Sequence, residues 1–289
     1  MSTNDGYFIP EPSKWPIIAS LTLFVTVFGA VNAIHGTSIG MPILAIGLIS
    51  VLAMMYGWFS TVVAESPSYN GQVDVSFRMG MMWFILSEVM FFAAFFGALF
   101  YARVLVMPWL GGAGNNAMTH EVLWPTFEAV WPILANPDNA KFVAPKEAMG
   151  AWGLPAINTL LLLTSSVTLT IAHHALRKGE RAKLNLWMIV TLALGVAFLV
   201  LQVLEYMHAY DDAMGLTLAS GIYGSTFFML TGFHGFHVTI GGVMIAVMLV
   251  RCLKGHFTAD NHFAFEAAAW YWHFVDVVWL GLFIFVYIL

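Results

Sequence analysis

Residues 79–106 read MGMMWFILSEVMFFAAFFGALFYARVLV. The run carries two formal charges, Glu88 and Arg103, and is otherwise almost wholly apolar. A helix that crosses a ~30 Å hydrocarbon core needs about 20 apolar residues, so this stretch is long enough to span. Its apolar residues occupy every side of a helix, as in a segment facing lipid or buried all round. A barrel strand would alternate over ~10 residues, and this run does not.

Six more stretches of the same kind lie on either side: Trp15–Ala33, Pro42–Val63, Leu154–Leu176, Leu184–Met207, Ser225–Leu253 and Ala267–Leu289. The composition agrees. The 289 residues are 60% apolar and 9% charged, against about 25% charged in a soluble domain. The fold class expected is an all-α polytopic membrane protein, one domain over 1–289 with seven spans. A net charge of −5 without a long basic run speaks against a nucleic-acid partner. The single cysteine, Cys252, excludes an intrachain disulfide, a CxxC pair and a cysteine zinc cluster. The opening MSTNDGYFIPEPSKWP is polar and acidic, unlike a signal peptide, and no cleavage is expected.

With the N-terminus in the cytoplasm, that side holds Lys14, Arg78, Arg177, Lys178, Arg181, Lys183, Arg251 and Lys254, and the other side Arg103, Lys141 and Lys146. The positive-inside rule therefore places the N-terminus inside. The connection 107–153 is long, has almost no helical period and carries Trp109, Trp124, Trp131 and Trp152. Tryptophan favours membrane interfaces, which lays this segment along the outer surface. Whether it caps this chain or touches another stays open. There is no internal repeat, which weakens a transporter reading.

Ionisable residues inside spans are costly and functional by default. Glu88 lies ten residues after Arg78, about 15 Å along its helix and near mid-membrane. Two readings stand: a neutral carboxylic acid bonded to a neighbouring helix, or a proton-handling group. The sixth span holds TGFHGFHVTIGG and the seventh WYWHFVDVVW, placing His234, His237, His273 and Asp276 in apolar surroundings. A metal or haem site is one reading. The other, favoured, is polar packing between helices, with His234 and His237 on one face and Thr231, Gly235 and Thr239 as a small-residue stripe allowing close approach. Glu205-x-x-His208 is a lone ExxH near a membrane boundary, where a di-iron site needs two such motifs and two more glutamates. His173 and His174 are adjacent and diverge by about 100°. No phosphate loop, nucleophile elbow or HExxH is present, so no catalytic residue and no metal site is assigned. Glu65, Arg78, Arg251, Lys254 and His256, with Trp58, fall at cytoplasmic span ends and suit an anionic lipid head group, or are ordinary positive-inside charge.

The motifs FRMGMMWFILSEVMFF (77–92), NTLLLLTSSVTLTIAHHAL (158–176), GIYGSTFFMLTGFHGFHVTIG (221–241) and HFAFEAAAWYWHFVDVVWLGLF (262–283) closely resemble subunit III of the bacterial aa3-type haem–copper cytochrome c oxidases. The resemblance is nearly continuous over the last five spans and looser over the first two. It implies a pair of helices (about 15–63) and a five-helix bundle (about 79–289) separated by a V-shaped, lipid-filled cleft. It also implies a non-redox subunit in a bacterial cytoplasmic membrane, with haem a and copper in partner subunits I and II, subunit I as the main contact, and cytochrome c acting on the complex. Within the family Glu88 matches a carboxylate that reacts with carbodiimide, and Trp58, Glu65, Arg251, Lys254 and His256 match lipid contacts, to which the position of Arg78 at a cytoplasmic span end adds a further candidate. The chain departs from the common pattern at Ala64-Glu65-Ser66 and at Gly71-Gln72-Val73-Asp74, which puts two head-group contacts in doubt. The rivals are the matching subunit of a quinol oxidase and a stand-alone proton-coupled transporter using Glu88.

Overall fold

The computed structural model describes residues 12–289; the opening segment read above lies outside them as far as residue 11. Among the described residues the regular structure is helical throughout. The elements are α1 (Trp15–Ile34), α2 (Gly40–Glu65), α3 (Gly71–Phe100), α4 (Ala117–Leu123), α5 (Leu154–Arg177), α6 (Arg181–Tyr210), α7 (Gly221–Leu253) and α8 (Phe263–Leu282). The helix α3 runs on through a π-helical turn, Tyr101–Val106, to Leu110, and α8 ends in another, Phe283–Ile288. Seven of these segments are long and apolar enough to cross a membrane. Side chains such as Phe24, Leu52 and Trp83 stand exposed on them, the surface a bilayer covers.

The third span begins eight residues earlier than its apolar run. The Asn70 side chain caps the helix, its Oδ1 accepting from Val73 N at 3.1 Å, and Asp74 pairs with Arg78 one turn on at 2.8 Å. Capping and an i,i+4 pair make helix from polar residues that hydropathy alone reads as loop.

The chain divides into two compact units, one ending at Met79 and the other starting at Gly80. In the first, α1 and α2 pack with almost no buried side chains. Gly29 is the one buried residue of α1; Gly40, Gly47 and Met54 are those of α2. A Cβ on Gly29 would run into the backbone of Leu44, one on Gly40 into Ala33, and one on Gly47 into Thr26. Without a hydrophobic drive between helices in lipid, small residues that bring backbones together supply the contact. Gly29→Leu is therefore expected to cost about 3 kcal/mol, the upper end for overpacking, because backbone cannot rotate aside. Faster proteolysis of the turn between α1 and α2 in the purified protein checks this.

In the second unit α5–α8 form a ring in which each consecutive pair packs together and α5 also packs on α8. Two left-handed glycines end helices in this ring. Gly179 has φ 73° and Gly255 φ 72°, and in each case the following amide bonds back to close a Schellman cap, Glu180 N to Ala175 O and His256 N to Arg251 O. Tryptophans of α8 hold the ring together. Trp272 Nε1 donates to Ser165 Oγ and Trp279 Nε1 to Thr159 Oγ1, both at 2.9 Å, so two fully buried indoles have no orphaned N–H. The segment 107–153 folds back on this unit: Ile133 and Met149 are buried, Met149 N donates to Tyr223 Oη at 3.0 Å, and Lys146 Nζ donates to Asp212 O at 2.7 Å. It caps its own chain, and it includes the short helix α4, which its sequence did not announce.

Candidate functional site

From residue 80 onward α3 lies against α7 and α8 through aromatic side chains. Phe91 meets Phe233 at 5.1 Å and Phe84 stacks on Tyr271 at 6.0 Å. Among these rings His237 Nε2 stands 2.8 Å from Glu88 Oε2. The other ring nitrogen, Nδ1, is 2.6 Å from the Phe233 carbonyl oxygen. A carbonyl only accepts, so Nδ1 carries a hydrogen and donates it. A neutral ring then presents a lone pair at Nε2, and its contact with a carboxyl oxygen needs a proton between them. Either Glu88 is a neutral acid donating to Nε2, or His237 is an imidazolium donating to a carboxylate. Both forms hold the same proton and carry no net charge.

The side chains of His237 and Glu88 are 9% and 20% exposed. Phe92 lies 4.9 Å from the imidazole, Phe91 5.5 Å, and Tyr271 is parallel to it at 6.5 Å. In such surroundings a lone charge costs several kcal/mol in principle, and pairing removes it. The two readings of Glu88 thus become the two ends of one proton position.

The remaining intramembrane histidines address other elements. His234 is fully buried, with Nε2 3.2 Å from Val275 O on α8. His273 Nδ1 is 2.8 Å from Ser166 Oγ on α5, and the same hydroxyl bonds Asp276. His234 and His237, placed on one face by their spacing, differ by about 60° around the helix, enough to reach different neighbours. The three rings do not converge on a common point. The stripe Thr231–Gly235–Thr239 is a correction: nothing lies within 4 Å of a Cβ built on Gly235, Thr239 is exposed, and only Thr231 turns inward, 2.7 Å from the Tyr206 hydroxyl. Close approach occurs instead at Gly195 and Gly241, where a Cβ would stand 2.7 and 2.9 Å from the Trp272 ring.

The family model described as cytochrome c oxidase subunit III matches residues 5–122 and 116–289 of this chain. The chain belongs to the cytochrome c oxidase subunit III family. It is 42% identical over 289 residues to cytochrome c oxidase subunit 3 of Prototheca wickerhamii, covering 97% of this chain and 96% of that one. Identity to the Sus scrofa and Mus musculus subunits is 40% over 285 and 286 residues, with 98% of this chain and 96% of each relative covered. The Glu88–His237 pair thus lies in a multi-pass chain of the subunit III family.

The residues expected to contact lipid fall in both units of this subunit III chain. In the first, exposed Trp58 stacks on Phe59 at 5.7 Å, Glu65 Oε2 accepts the Tyr69 hydroxyl at 3.0 Å, and Arg78 is held by Asp74. In the second, the Schellman cap at Gly255 gathers Arg251, Lys254 and His256 at the end of α7. The Arg251 guanidinium lies 4.4 Å over Phe257, while Lys254 and His256 are exposed. Cations at a helix C-terminus complement its dipole and present positive charge outward.

Glu205, passed over as half of a lone ExxH, is 1% exposed and accepts the Tyr287 hydroxyl at 2.6 Å. His208, one turn on, is exposed. Only the partner residue, at the far end of the chain, distinguishes the buried carboxylate from a surface one.

Proposed function

We propose that this chain is a non-redox accessory subunit of a proton-pumping cytochrome c oxidase in a bacterial cytoplasmic membrane, with its N-terminus inside. Electrons then pass from cytochrome c to O2 through haem a and copper in subunits I and II. The observation that carries the reading is the family match over nearly the whole chain. The geometry supports it: His234, His237 and His273 each direct one ring nitrogen to a different helix, an arrangement suited to packing rather than to joint ligation of one centre. In this reading the chain stabilises subunit I and holds phospholipids, drawing on Trp58, Glu65 and Arg78 in one unit and Arg251, Lys254 and His256 in the other. The Glu88–His237 pair stores a proton without net charge and supports proton uptake from within the membrane.

The test is a reduced-minus-oxidised spectrum and cytochrome c turnover of the complex purified through this chain. Haem a absorption with cytochrome c oxidation is expected. Turnover with quinol alone would move the chain to the quinol branch, and ion-coupled uptake by the isolated chain in liposomes would establish a transporter. Glu88→Gln keeps a donor toward His237 but cannot exchange a proton. Assembly and haem content should be unchanged and turnover reduced by less than about 10-fold, well short of the 10²–10⁴-fold typical of a catalytic acid–base group. Loss of the haem spectrum in that variant would contradict the supporting role.

A further inference from the structure

Where α5 ends and α8 begins, three side chains from opposite parts of the sequence meet. His262 Nε2 lies 3.3 Å and His173 Nε2 3.6 Å from the same oxygen, Glu266 Oε1. One donor atom from each residue stands within 4.8 Å of the other two. The spacing of His262 and Glu266 is i,i+4, which puts both on one side of the helix start, and His173 arrives from α5 with its ring 5.2 Å from that of His262.

The bonding around these atoms is specific. His262 Nδ1 is 3.1 Å from the Thr258 carbonyl oxygen; since that oxygen only accepts, Nδ1 holds a hydrogen, and in the neutral ring Nε2 then carries the lone pair a metal needs. Both Nε2 atoms are buried and make no hydrogen bond among the described residues. Two imidazole nitrogens therefore converge on one carboxylate oxygen. A shared proton or a metal ion satisfies such a set, and the metal alone uses all three donor atoms at once.

A zinc ion bonded at about 2.0–2.1 Å to nitrogen and oxygen holds tetrahedral ligand atoms about 3.3–3.4 Å apart. Two of the three edges are already at 3.3 and 3.6 Å. Two neutral imidazoles and a carboxylate form a three-ligand zinc set with a fourth position left for water, and the bond from Nδ1 to a backbone carbonyl is the outer support that orients ligating histidines. A cavity of about 180 Å³ lined by Thr170, His173, Glu266, Trp270 and His273 adjoins the set, giving room for that water and a way in.

We propose that His173, His262 and Glu266 form a binding site for a divalent first-row metal ion, zinc by preference, which clasps the end of α5 to the start of α8. The site involves none of the residues assigned to lipid or to the Glu88 pair, so it stands or falls independently of the oxidase reading.

The full chain, purified in mild detergent through a tag without histidine and stripped with a chelator, is titrated with zinc against a chromophoric competitor. It is titrated in parallel with cobalt(II), whose visible d–d absorption reports four-coordination. One zinc equivalent per chain is expected. Loss of an outer-shell partner already weakens metal binding about 10–100-fold, so Glu266→Gln and His262→Ala should each cost at least that. His208→Ala, at an exposed histidine elsewhere, should bind as the parent does. Zinc should also raise the unfolding temperature of the parent and not of the two site variants. Glu266→Gln keeps the side-chain shape, which guards against a folding artefact. Absence of a zinc equivalent in the parent, or unchanged affinity in Glu266→Gln and His262→Ala, overturns the proposal.

Discussion

Replacing His237 with leucine is expected to destabilise the second unit by about 3–5 kcal/mol, the range for removing one member of a buried ion-paired or hydrogen-bonded couple. The loss does not come from the contact alone. Glu88 would remain among Phe91, Phe92 and Tyr271 with no acceptor for its proton and no cation for its charge. Removing both polar groups together takes away that penalty, so Glu88→Leu/His237→Leu should recover most of the stability. Denaturation of the purified full chain in graded detergent gives the four corners of the cycle. Strict additivity of the two single variants would mean that the residues do not act as a couple. The cycle also bears on function, because a double variant that folds but loses proton uptake separates the pair's chemistry from its packing.

The second large effect is expected at Trp272. Its ring is 1% exposed and occupies the space that Gly195 and Gly241 leave open. Trp272→Ala would open a cavity between α6, α7 and α8, and core tryptophans truncated in this way cost about 3–5 kcal/mol. In lipid the lost term is chiefly van der Waals packing, since no hydrophobic drive brings helices together there. The hydroxyl of Ser165 is not stranded by the change, because it also donates to Leu162 O at 2.6 Å. The destabilisation should therefore follow cavity size, with Trp272→Phe well below Trp272→Ala in the same denaturation assay. Equal losses for the two would point to the indole N–H instead.

The extent to which the site was legible differs by residue. Glu88 declared itself as a residue needing a partner, because a carboxylate inside FILSEVMFF is costly in lipid whether it is a packing acid or a proton-handling group. Its partner did not: His237 lies 149 residues away, and one chain offers no means of pairing it with Glu88 rather than with His234. The small-residue stripe on α7 misled for the same reason. Threonine and glycine at spacing four mark a surface able to pack closely, yet whether another helix occupies it depends on the arrangement of the bundle. Glycines that do mediate contact, Gly29, Gly47, Gly195 and Gly241, are spread over four helices without a pattern that separates them from Gly235.

The start of α3 shows the complementary failure. Hydropathy placed it at Met79, where the apolar run begins, whereas Asn70 and the Asp74–Arg78 pair carry the helix back to Gly71. Composition and run length, by contrast, were enough for seven spans, since crossing a bilayer depends on apolar length summed along each segment and on little else. That much is local, and the sequence by itself determined it. Which nitrogen of His237 faces Glu88, that Glu205 is buried against Tyr287, and that His173 meets His262 and Glu266 were decided only by the tertiary structure. Each depends on the rotation and spacing of helices distant in sequence, and a hydrogen bond or a metal edge of about 3 Å is sensitive to shifts that no periodicity encodes.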